Sequence, residues 1–146
     1  MSFRVAYGRL AALRMLGVAD DSHFNIGNLP GILTPEQLPA LILTLDDTYV
    51  SALQPIGIDF SGSQFRCFCR FTLLIEYAPQ SNTPSRLIEL PTFYDEYIKM
   101  FDGNWLLGGA LVGPVVTDVV QGGLLDWEGQ IFIGASFRVA LPVRVT

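Results

Sequence analysis

Phe65, Cys67, Cys69, Phe71, Leu73, Ile75 and Tyr77 alternate along the chain with Gln64, Arg66, Phe68, Arg70, Thr72, Leu74 and Glu76. Successive side chains on an extended strand point to opposite faces, so a period of two over this many residues predicts a strand with one buried face. At about 3.3 Å per residue it would reach roughly 45 Å. That exceeds the width of a small domain, and part of the strand is expected to project beyond the core with its hairpin partner. The end of the chain repeats the pattern: Ile131, Ile133, Ala135, Phe137, Val139, Leu141, Val143 and Val145 alternate with Phe132, Gly134, Ser136, Arg138, Ala140, Pro142 and Arg144. Proline brings no N–H to a ladder, so Pro142 needs an edge or a point where the strand leaves the sheet.

Shorter elements fill the rest. Phe3, Ala6, Leu10 and Leu13 recur at helical spacing and predict an amphipathic helix ending at Gly17. Residues 18–38, with two prolines and several turn formers, read as a connecting loop or as an arm lying on a neighbour. Ala40–Leu45 is apolar on both faces and suits a strand inside a sheet. Tyr49 to Phe60 follows as a strand in which Pro55 and Gly57 call for an edge or a bulge, and Ser61-Gly62-Ser63 reads as a hairpin tip. Between Thr83 and Gly103, the residues Leu87, Leu90, Tyr94, Tyr97, Ile98 and Phe101 form one helical stripe, and Pro91 either kinks or starts that helix. Val115 to Val120 is expected as a short strand, with a turn-rich connection from Gly122 to Gly129. The expected fold is α+β: one domain over residues 1–146, with a mixed, mainly antiparallel sheet and a long β-hairpin, flanked by two amphipathic helices on one side.

Composition sharpens this picture. Half of the 146 residues are hydrophobic, only 16% are charged and the mean hydropathy is +0.39. Ordinary globular chains carry roughly a quarter charged residues, so some of the apolar excess is expected to meet another subunit. It does not make a membrane span. The uncharged run Gly103 onward is broken by Gly108, Gly109, Gly113 and Pro114 and is shorter than the ~20 residues a bilayer needs. The amphipathic start of the chain does not read as a signal peptide. A net charge of −5 without a basic run argues against tight nucleic-acid binding.

The search for chemistry returns little. Cys67 and Cys69 share a strand face, where a mutual disulfide would be strained, and they read as two reduced core thiols. No second cysteine pair exists and the one histidine, His23, lies in another segment, so zinc is not expected. His23 has no evident nucleophile to serve. Asp46-Asp47 suits a strand-end turn better than a cation site, because neighbours on a strand diverge. Asp95 and Glu96 are expected on a solvated helix face. Gly108 to Gly113 lacks the spacing of a phosphate loop. Trp105 and Trp127 are expected as core or interface anchors, although an apolar cavity over residues 105–116, serving a ligand carrier or pocket enzyme, is an alternative. No catalytic residue, metal or cofactor is expected.

The order of parts carries a resemblance. A helix with arginines and a loop are followed by Leu38-Pro39-Ala40-Leu41-Ile42-Leu43, then by a long hairpin strand ending Leu73-Leu74-Ile75-Glu76-Tyr77. An amphipathic helix and the closing strand Ser136-Phe137-Arg138-Val139-Ala140-Leu141-Pro142-Val143 complete the series. This resembles the tail terminator proteins of long-tailed bacteriophages, over most of the chain, with a longer 18–38 loop and with Pro91 as differences. The resemblance implies a virion structural protein made in the host bacterial cytoplasm. It implies a homohexameric ring that caps the tail tube, touching the tube protein on one side and a neck or head-completion protein on the other. A head-closure or neck adaptor is the nearest alternative. On this reading DNA passes without specific binding through an acidic lumen, and a lumen lined by Arg66, Arg70, Arg138 and Arg144 would contradict that. The expected contact residues are Phe60, Ser61, Gly62, Ser63, Gln64, Phe68, Phe132, Arg138 and Arg144.

Overall fold

A computed structural model describes residues 2–46, 53–59, 62–78 and 86–145. Helix α1, Phe3–Ala11, begins where the Ser2 hydroxyl accepts the Val5 N–H at 3.2 Å, and it buries Ala6 and Leu10. It ends well before Gly17, because the Arg14 guanidinium folds back to donate to the carbonyls of Ala11 and Leu13. The segment that follows packs on its own chain. It contains the two-residue strand β1, His23–Phe24, and then a 3-10 turn over Pro35–Gln37 that is closed by a capping box from Thr34.

Strands β2, Ala40–Leu45, and β3, Leu53–Asp59, both pair antiparallel with the long strand β4, Gly62–Tyr77. They lie end to end along the same side of it, β3 against residues 62–67 and β2 against 69–74. The bulge expected around Pro55 and Gly57 is present. β1 adds to β2 in parallel, and β6, Gln130–Val145, covers the other side of β4. β5, Val116–Trp127, closes the order β1-β2-β4-β6-β5. The sheet is mixed and mostly antiparallel, as expected for an α+β fold.

β5 is twice as long as the pattern suggested. Gly122 and Gly123 are inside the strand, and the connection to β6 is the two-residue turn Glu128-Gly129, both at positive φ (53° and 81°), as tight hairpins require. Gly122 is there because any Cβ would collide with the Tyr94 hydroxyl. Pro142 is accommodated because β5 stops at Val116, opposite Ala140, which leaves that side of β6 free at position 142. The Pro142 carbonyl there accepts the Val112 N–H at 3.0 Å.

Helix α2, Leu90–Lys99, holds Pro91 in its first turn rather than at a kink. Of the expected stripe, Leu90, Tyr97 and Phe101 are buried, while Ile98 is exposed. α1 and α2 cover one face of the sheet. There the Tyr97 ring stacks on Phe137 with centroids 3.7 Å apart, and Cys69, Phe71, Leu73, Val139 and Leu141 complete the main core. A smaller core on the opposite face joins Leu33, Ala40, Ile42, Leu74, Leu125 and Phe132 beneath the 24–38 segment. A register shift between Leu74 and Glu76 swaps the parity of β4, so Tyr77 joins this second cluster instead of following Ile75 into the first.

Candidate functional site

Two surfaces stand out. The first is the outer edge of β5. It ends the strand order, and Val116, Val119, Val120 and Leu124 are 43% to 62% exposed along it. Ile131, opposite Asp126 in the register, is exposed as well, as is Ile98, four residues from the Tyr94 that reaches over Gly122. Such an edge presents a row of backbone donors and acceptors together with apolar side chains. Monomeric proteins usually blunt long edges, and on β5 such devices are few: Asp118, Asp126 near its end and one bulge between Val119 and Gln121.

The second surface is the part of the sheet face left uncovered by helices. Arg66, Arg70, Arg138 and Arg144 all occupy it, because they share one parity in the β4–β6 register. Arg70 and Arg138 are direct cross-strand neighbours. An acid flanks each: fully buried Asp46 holds the Arg70 guanidinium at 3.3 Å, and Asp118 approaches Arg138 at 3.7 Å. Acid, base, base and acid therefore follow one another across the sheet, with Asp46 two residues beyond Thr44, the direct partner of Arg70. Arg70 also donates to the Ser136 hydroxyl at 3.2 Å, and the Arg138 guanidinium lies 5.2 Å from the centre of the Phe68 ring.

The expected contact residues divide accordingly. Phe60 and Ser61 lie outside the described residues. Gly62 and Ser63 open β4 opposite β3, with Gln64 next to them. Phe132 must be corrected. It is 1% exposed, because the 24–38 segment forms a second layer that parity alone cannot reveal. Phe68 is corrected as well: at 7% exposure, its ring lies beneath Arg138 of its own chain. Arg138 and Arg144 remain on the open face. β5 was expected only as the short strand Val115 to Val120, and its full length as an exposed edge was missed, since Gly122-Gly123 reads as a turn.

Other candidate chemistry resolves into structure. Cys67 and Cys69 are free thiols, and both belong to the helix-side core. Their mutual hydrogen bond lowers the pKa of Cys67 and, with burial, raises that of Cys69. His23 ties the loop together, its Nε2 accepting the Met15 N–H at 3.0 Å and its Nδ1 facing the Ala19 carbonyl at 2.9 Å. Asp46 is committed to Arg70, while Asp47 lies outside the described residues. Asp95 is exposed and Glu96 pairs with Lys99 at 3.6 Å. Among the described residues no three His, Cys, Asp or Glu side chains are grouped to hold a metal ion.

In the 105–116 region Leu107, Ala110, Leu111 and Val115 are buried and Trp105 stacks on Phe101 at 5.1 Å, while Gly103, Trp105, Leu106, Gly108 and Gly109 line an open depression of about 410 Å³. Trp127 packs against the smaller core. A cavity of about 450 Å³ lies elsewhere, between Leu33, Leu38, Tyr77, Arg86 and Phe132. Arg86 there is held by Glu76 and Glu89. No described helix is long and apolar enough to cross a membrane. No protein-family model matches the chain, and no curated protein matches it either.

Proposed function

We propose that this chain is a non-enzymatic assembly subunit that packs side by side with copies of itself, and that its assembly is a ring of the tail-terminator kind in a phage particle. The exposed, apolar β5 edge carries the reading. Four of its side chains are left at least 43% exposed, on a chain with only 16% charged residues to keep it soluble. The element order supports the particular kind of ring: a helix with arginines, an interior Ala40–Leu45 strand, two ribbons of 16 residues each and a helix packed on the sheet. On this reading the partners are a second copy, the end of a tail tube and a neck or head-completion protein, and a neck adaptor is the nearest variant. An acidic, DNA-repelling lumen is not part of the proposal, because the open sheet face carries four arginines. Negative-stain electron microscopy tests it. Purified protein is expected to form rings that cap one end of isolated tail tubes. Protein that forms no ring, or rings that ignore tube ends, would contradict the proposal.

A further inference from the structure

The sheet is not equally open along its borders. β1 closes the outer side of β2 over Leu41 and Ile42. Among the described residues three strands have a partner on one side only: β1, two residues long and too short to template a strand, and the longer β3 and β5. These two open edges lie on opposite sides of the sheet, since β3 flanks β4 where β6 does not.

Their directions are compatible. β5 runs antiparallel to β6, β6 to β4 and β4 to β3, so β5 points opposite to β3. Two copies in the same orientation, side by side, bring β5 of one against β3 of the next as an antiparallel pair. We infer that the β5 edge of each copy pairs with the β3 edge of the next, so that one sheet continues from subunit to subunit. This deepens the ring reading and rests on it. A β5–β5 pair would instead form a closed two-fold dimer and leave β3 open, and only a head-to-tail contact can propagate into a ring.

The levels of the two edges explain the overlong ribbons. β5 lies against β6 residues 130–140, whereas β3 lies against β4 residues 62–67, whose partners on β6 are 141–145. Pairing the first half of β5 with β3 makes each copy step along the ribbons by about six residues, roughly 20 Å. β4 and β6 are long enough to carry both edges at those separate heights. Charge agrees with the match. Asp118 of β5 and Arg66, the exposed residue that pairs with Gln54 of β3, belong to the same open face.

Cross-linking with a short bifunctional maleimide tests this on the full chain, with the parent protein as control for Cys67. The single variants Val120→Cys and Gln54→Cys are prepared separately and as a double variant, and each is checked for its oligomeric state by light scattering. Little cross-linking above the parent is expected from either single variant, a dimer band from their mixture, and a ladder up to ring size from the double variant. Cross-linking of Val120→Cys alone would overturn the head-to-tail pairing in favour of a two-fold one. Oligomers without a band from the mixture would overturn the pairing and leave the ring reading standing. A monomeric parent would overturn both.

Discussion

Arg70 on β4 and Arg138 on β6 are directly opposed in the antiparallel register, so two guanidinium groups share one place on the sheet. Like charges facing each other across strands destabilise a sheet. Here each is drawn toward its own acid, Arg70 to buried Asp46 on one flank and Arg138 to Asp118 on the other. The two acids are not equivalent. Asp118 is well exposed, and solvent screens its interaction, while Asp46 is fully buried.

Removing Asp46 leaves Arg70 without its buried counter-charge and facing Arg138. Asp46→Ala is expected to lose about 3 kcal/mol of stability, and Asp118→Ala less than about 1 kcal/mol, in urea unfolding. Equal losses for the two would show that the buried pair is not what settles the arginine row.

His23 supplies a pH dependence. Burial, with a smaller push from Arg14, lowers its pKa below the ordinary 6.5, outweighing the Ala19 carbonyl and Asp20, which act the other way. The geometry agrees, because Nε2 accepts the Met15 N–H and a protonated ring cannot. Above 6.5 the ring is neutral in both folded and unfolded chains and its contribution is complete. As pH falls from 6.5 through the folded value, the unfolded chain binds the proton first and stability is lost. Unfolding at pH 7.5 and pH 5.5 is expected to show a larger acid loss for the parent than for His23→Gln. Equal losses would assign the acid sensitivity to other groups.

Two strand glycines are set by close approach. A Cβ at Gly134 would collide with the Leu73 carbonyl across the β4–β6 ladder, and one at Gly122 with the Tyr94 hydroxyl. Gly134→Ala is expected to cost about 3 kcal/mol, since backbone on the central ladder has nowhere to move. Gly122→Ala is expected to cost about 1–2 kcal/mol and to be largely rescued by Tyr94→Phe, which removes the clashing atom. Thermal melts of the four variants measure both effects, and a failed rescue would mean that Gly122 serves another constraint.

The same glycines show what the sequence could and could not reveal. β2, β4 and β6 were legible because apolar alternation, or an unbroken apolar run, records how many faces of a strand are buried. Pro91 at the start of α2 and the bulge near Pro55 were legible because proline restricts the backbone locally. The second half of β5 was hidden: Gly122-Gly123 has the composition of a turn, and the reason for Gly122 is Tyr94, distant in sequence. Tyr77 changed face through a bulge that leaves parity unmarked in the residues. The arginine face was readable from alternation, but the burial of Phe132 was not, since it depends on the 24–38 segment folding back over the sheet.

Sedimentation velocity of the parent and of the double variant Val119→Lys/Leu124→Lys, across a range of concentrations, tests the role of the β5 edge most directly. Both side chains are exposed in the single chain, so the variant is expected to keep the parent's circular dichroism and melting temperature. The account predicts one multi-copy species for the parent and a monomer for the variant. A parent that remains monomeric at every concentration, or a variant that assembles as the parent does, would contradict it.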